Sequence, residues 1–148
     1  EVGVVFEGDT QLWRRKSYVL FEELTFERDA GLCLGMVEFF ASKRAGLSLD
    51  EMTISENVHR LMHAALFRLG IAIDIVVKAI RVALKAGTGE LKVEHFGTAY
   101  RAFAGCPDTA NPFLAPGDFT QIEVDKYLTR LLEHQKSGSG AKATGEAK

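Results

Sequence analysis

The chain is poor in the residues that break or staple a fold. Only three prolines occur in 148 residues, at Pro107, Pro112 and Pro116. The rest of the chain is open to helix, because proline removes a helical N–H and clashes with the preceding turn. Cysteine is nearly absent: Cys33 and Cys106 stand alone, in apolar surroundings and without CxxC spacing. That excludes a disulfide-stapled scaffold, and free thiols in a reducing compartment are expected. No charge sign dominates. A net charge of −2 excludes a polycation built for nucleic acid, although a local basic patch remains open. No apolar run reaches the ~20 residues needed to span a bilayer, and no signal-peptide pattern is present. A cytoplasmic location with no membrane partner is therefore expected.

What is present is a chain of about one domain, 47% hydrophobic, enough for a core without staples. It starts with Glu1 and enters a strand-like run, Val2–Phe6, at once. A fragment with a missing upstream part is the expectation. Val2–Phe6 and Ser17–Phe21 are candidate strands around a turn that carries Arg14, Arg15 and Lys16.

From Thr25 the pattern becomes helical. Thr25 is a candidate N-cap, with Glu27 and Asp29 at the positive end of the dipole. Phe26, Ala30, Cys33, Val37, Phe40 and Ala41 share one face, and Gly46 closes the helix. Ser48-x-x-Glu51 and Thr53-x-x-Glu56 both read as capping boxes. A helix follows with Ile54, Val58, Leu61, Met62, Ala65 and Leu69 on one side, and Gly70 is expected to break it.

Gly70–Lys85 is apolar except for Asp74, Lys78, Arg81 and Lys85, spaced four, three and four apart. That is one narrow polar stripe at the helical period, so this should be the central helix. Asp74 and Lys78 should form an i,i+4 pair. Gly87-Thr88-Gly89 ends the helix. Val93–Ala104 should turn Phe96, Ala99, Tyr100 and Phe103 inward, closed by Gly105. Cys106–Gly117 reads as an extended loop, Asp118 as the cap of a last helix, and 136–148 as a disordered tail.

The chemistry-bearing groups are few. The phosphate cradle GxxxxGK[ST] does not occur in the chain; Gly87-Thr88-Gly89-Glu90 lacks the Lys and the Ser/Thr that follows it, and reads as a helix stop. His59 and His63, in HRLMH, have the spacing of a metal pair, but Arg60 stands where a zincin needs Glu and no third ligand is evident. One partly exposed and one packing histidine are expected. Arg14, Arg15 and Lys16 are either a solvated turn or a phosphate contact to nucleotide or DNA. Glu22, Glu23, Glu27 and Asp29 read as a solvated acidic face. Asn111, Pro112 and Phe113 are either a turn that pins Phe113 on the bundle or an exposed hook for a partner. No local nucleophile–base signature occurs.

Several segments, in order, resemble the C-terminal part of TniB-type AAA+ ATPases, transposition regulators related to TnsC. They are Gln11-Leu12-x-Arg14-Arg15, Phe26-Glu27-Arg28-Asp29, Ala45-Gly46-Leu47, Arg60–Ala65, Leu69-Gly70, Ala79-Ile80, Ala83-Leu84, Leu91, His95-Phe96, Ala99-Tyr100, Gly105-Cys106, Asn111-Pro112-Phe113 and Ala115-Pro116. The resemblance implies a remnant of the ATPase core over 1–24, a helical lid over 25–134 and a tail over 135–148. The expected fold is mainly α: a lid-like bundle of about five helices, with one or two short N-terminal strands. Arg15 or Arg14 would be the arginine that reaches a neighbouring subunit's nucleotide. Where the family's sensor-2 arginine would stand, Gly70 is followed by Ile71-Ala72-Ile73, so this lid is expected to pack rather than grip phosphate. The complete protein would bind ATP and Mg, form a homo-oligomer, act on DNA and contact a transposase. This chain alone should bind no cofactor or metal and should not hydrolyse ATP. The alternative is a stand-alone helical adaptor for a protein partner.

Overall fold

The computed structural model describes residues 23–50, 52, 55–129 and 133. Over these residues the protein is a mainly helical bundle with no strand; the one β pairing is an isolated parallel bridge between Ser48 and Glu90. The expected N-terminal strands, Arg14, Arg15, Lys16, Glu22 and the tail lie outside the described residues.

Helix α1 runs Phe26–Glu38 and continues without interruption into a π-helical turn, Phe39–Arg44. Thr25 has N-cap backbone geometry, but its side chain makes no cap hydrogen bond. The reciprocal half of a cap forms instead: the Thr25 N–H donates to Asp29 Oδ2 at 2.9 Å. Arg28 steadies that carboxylate at 3.0 Å through Nε and also donates to the Glu23 carbonyl. Cys33, Val37 and Ala41 are fully buried, as their spacing predicts. Gly46, at φ 71°, turns the chain out of the helix.

Ser48 does not cap a helix, contrary to expectation. Its backbone is taken by the β bridge: Ser48 N–H donates to the Gly89 carbonyl and Leu91 N–H to the Ser48 carbonyl. This bridge holds the exit of α1 beside the exit of the central helix. Thr53 and Ile54 lie outside the described residues.

Helix α2 spans Ser55–Ala64 and α3 spans Leu69–Ala86. Gly70 is not the break between them. It sits in the first turn of α3, and the corner is made by Leu66 and Phe67, both left-handed at φ 54° and 55°. Such residues cost about 1–3 kcal/mol each and persist only where the surroundings over-determine them. Here Phe67 N–H donates to the Met62 carbonyl, and the Phe67 carbonyl accepts from Leu24 N–H at 2.7 Å. The bundle therefore takes in Leu24, one residue ahead of the expected lid boundary.

Helix α3 is central, as its thin polar stripe predicts: it touches α1, the π turn, α2 and, above all, α4, Val93–Ala104. Ala72, Ala79 and Ala83 are fully buried beside Ile75 and Val76, so α4 packs close and delivers Phe96, Ala99 and Tyr100 to the core. Full burial of each large apolar side chain contributes about 1.5–3 kcal/mol. The buried Tyr100 hydroxyl donates to the Ala64 carbonyl at 3.3 Å. On the stripe, Asp74, Arg81 and Lys85 are exposed. The expected Asp74–Lys78 pair does not form; Lys78 Nζ lies over the Phe103 ring, 4.8 Å from its centroid. Gly87 and Gly105, both left-handed, end α3 and α4 as expected.

A second, smaller cluster of Leu24, Cys33, Val58 and Met62 seals α1 to α2. The 106–124 segment returns across α2 through two 3₁₀ turns, Asp108–Ala110 and Phe119–Gln121. Asp118 caps the second of these turns, accepting from Thr120 N–H, rather than the last helix, which is seen at 125–129.

Candidate functional site

The groups with chemical capacity converge where α2 meets the returning loop. Helix α2 presents Glu56, His59, Arg60 and His63 on adjacent turns, a consequence of three- and four-residue spacing. Arg60 is the hub. Its Nε and Nη2 donate to Glu56 Oε1 at 3.1 and 2.7 Å, and Nη1 donates to the Pro112 carbonyl at 2.6 Å. The guanidinium lies over the Phe119 ring, 4.7 Å from its centroid. With its side chain only 14% exposed, Arg60 is a clamp holding loop to helix, and its fork is not open to a phosphate.

The two histidines sit in an aromatic box. His59 stacks on Phe26 at 4.3 Å and meets the edge of Phe119 at 5.1 Å. His63 meets the edges of Phe67 and Phe119. His63 Nε2 lies 2.9 Å from the Ile122 carbonyl, which can only accept, so Nε2 carries the proton. A ring nitrogen donating in this way is not a metal ligand, and among the described residues no group of three His, Cys, Asp or Glu could hold a metal. Burial lowers the His59 pKa, with the His63 charge adding to this and the Asp118 charge opposing it. Hydrogen bonds from the Thr120 hydroxyl and N–H hold Asp118 below its ordinary value.

Asn111, Pro112 and Phe113 are all buried. Asn111 Nδ2 donates to the Gly97 carbonyl at 2.8 Å, and Asn111 Oδ1 accepts from Phe113 N–H at 3.1 Å. Phe113 packs between Phe96 and Tyr100. Of the two readings of this tripeptide, the pinning turn describes the structure, and the exposed partner hook does not. Gly97 leaves room there: a Cβ would come within 2.5 Å of the Leu114 side chain, which would have to move.

The remaining candidates resolve simply. Gly87-Thr88-Gly89 is a helix stop, with the Thr88 hydroxyl donating to the Glu90 carbonyl. Glu23 and Glu27 are exposed, while Arg28 and the Thr25 N–H hold Asp29 below its ordinary pKa. Burial pushes the Cys33 thiol up to about 11, with Asp29 adding to the rise, and burial also raises Cys106. Both are free, buried and unreactive as thiolates. Among the described residues no helix is long and apolar enough to cross a membrane.

The Arg60 hub went unseen in the sequence, apart from the Glu56–Arg60 spacing that could have signalled half of it. The aromatic box left a weaker trace in the recurrence of Phe and His through 26, 59, 63, 67 and 119.

No family model, curated protein or solved structure matches this chain. The class it can be given is that of its fold, a small helical bundle clamped by a returning loop.

Proposed function

We propose that this chain is the lid part of a TniB/TnsC-type AAA+ ATPase of bacterial transposition. It would act in nucleotide-dependent assembly on DNA and in contact with a transposase, in the cytoplasm. One observation carries the reading. Several residues of the resemblance make contacts that tie the bundle together: Arg60 grips Pro112, Asn111 grips Gly97, Tyr100 reaches Ala64, and Phe96 packs against Phe113.

The division of labour follows from the chemistry. Phosphoryl transfer needs a phosphate cradle, Mg ligands and a charge-stabilising arginine. On this reading the cradle and the Mg ligands lie upstream of Glu1, and Arg15 or Arg14 supplies the arginine across a subunit boundary, with Lys16 beside it. Helix α3, apolar at Ile71 and Ile73, contributes packing and no phosphate contact.

The gene tests this. The sequence encoded ahead of Glu1 should contain GxxxxGK[ST]. In the complete ATPase, Arg15→Ala or Arg14→Ala should lower turnover by about a thousand-fold while ATP still binds. The isolated 148-residue chain should show no ATP binding by calorimetry. A gene without the cradle, or micromolar ATP binding by the isolated chain, overturns the reading and leaves the helical adaptor in its place.

A further inference from the structure

The corner between α2 and α3 interrupts a helix that the residues themselves do not interrupt. Val58, Met62, Ala65, Leu69, Ala72 and Val76 follow one another at spacings of four and three in strict alternation, and the alternation runs on to Ala83. It crosses the corner without a slip. Leu69 is partly buried and the others are buried. A 4–3 repeat sustained over such a length is the seam of one continuous helix. No proline or glycine stands between Ser55 and Leu69, and Gly70 is already helical. Yet the chain turns at Leu66 and Phe67, at φ 54° and 55°, a conformation that neither side chain favours. Strain of this kind collects at joints with two states.

Right-handed backbone at these two residues joins α2 and α3 into a single helix over Ser55–Ala86, about 48 Å long. By the helical pattern, Phe67 N–H then passes from the Met62 carbonyl to that of His63, and the Phe67 carbonyl passes from Leu24 N–H to Ile71 N–H. Of the bonds that hold the corner, only the one from Leu24 has no helical replacement. In a single copy the straight helix would carry α2 off the core. Leu61 and Ala64 would leave α3 and α4, Arg60 the Pro112 carbonyl, and His63 the Ile122 carbonyl. Two copies that trade α2 restore each of these contacts, because every surface meets the surface it met before. The cluster of Leu24, Cys33, Val58 and Met62 seals α1 to α2, so the two helices move as a unit.

We propose that the α2–α3 corner is a joint whose open form is one helix, and that through it two copies of the chain exchange α1 and α2 to form a dimer. Exchange of an identical element makes a dimer without any new complementary surface. The contacts name the occupant: a second copy brings the same Arg60, His63 and Ala64 that this core receives in the monomer. The exchange needs nothing of the ATPase reading and stands if that reading fails.

The test is sedimentation of the full chain after refolding at micromolar and at millimolar concentration. A dimer should form at the higher concentration only, and return to monomer slowly on dilution. Leu66→Gly and Leu66→Ala separate strain from packing, since both remove the same half-buried side chain. Glycine accepts the left-handed turn and disfavours helix, so it should lower the dimer fraction about five-fold. Alanine keeps the strain and favours helix, so it should raise that fraction by a similar factor. Spin labels on Ser55→Cys and Lys85→Cys, in a labelled copy diluted among unlabelled ones, should lie about 45 Å apart in the dimer and closer in the monomer. Cys33 and Cys106 are buried and stay unlabelled. Three results overturn the proposal: a chain that stays monomeric after refolding at millimolar concentration even as Leu66→Ala; a dimer that keeps the monomer's separation between the labels; or a dimer fraction that the glycine and alanine variants move in the same direction.

Discussion

The two sides of α2 are built on different principles. On one side, Leu61 and Ala64, with Ala65 just beyond the helix, enter the main apolar core with α3 and α4, where helical spacing alone dictates which residues meet. On its other side, His59, Arg60 and His63 are held by carbonyls and rings contributed by a loop far along the chain. The first region is stabilised by area removed from water, the second by a few directional contacts with few substitutes. Damage should therefore be graded in the first and concentrated on single atoms in the second.

The largest test falls on the core. Phe96→Ala should cost about 3–5 kcal/mol, read by chemical denaturation, because a fully buried ring leaves a cavity against Phe113. If the cost is much smaller, the core is not the better-packed region. Arg60→Ala should cost about 1–3 kcal/mol, since it leaves the Pro112 carbonyl unpaired and uncovers Phe119. Glu56→Ala, removing only the exposed partner, should cost about 0.5 kcal/mol or less. Equal effects would show that the ion pair, and not the grip on the loop, is what Arg60 contributes. Gly97→Ala should lose about 1 kcal/mol: alanine gains helix propensity, but its methyl drives Leu114 aside and loosens the Asn111 bond.

The smallest effect is on pH. His59 has a folded pKa below its ordinary 6.5, so the fold prefers the neutral ring. Stability from this source is complete above about 6.5 and falls as pH drops through that value, because the unfolded chain then binds the proton first. The melting temperature should thus decline measurably between neutral and mildly acid pH. His59→Phe, which keeps a ring against Phe26, should flatten that decline. An unchanged slope would place the acid sensitivity elsewhere.

What could be read in the residues divides along the same line. Helices α3 and α4 were legible because their apolar positions repeat at the helical period and glycine follows each. Ser48 misled because a backbone engaged in a β bridge leaves no mark on the side chain. Gly70 misled for the opposite reason: the real corner uses Leu66 and Phe67, whose left-handed conformation is invisible in their identity. The π turn has no residue code either. Arg60 reaches a carbonyl 52 positions away, a partner that no local pattern can name. For Asn111 the residues left a turn and an exposed hook both open, and what decides for the turn, the bond to Gly97, belongs to tertiary structure.

The Leu66–Phe67 corner has a consequence for the order in which the chain folds. Glycine-marked turns such as the one after α3 form locally, from residues that accept the geometry unaided. Leu66 and Phe67 resist theirs, and the contact that fixes Phe67 from outside the corner comes from Leu24, more than a turn of chain before α1 begins to bury Cys33. The α3–α4 hairpin can therefore assemble early from neighbouring segments, whereas the α2–α3 corner closes only when α1 arrives to receive it.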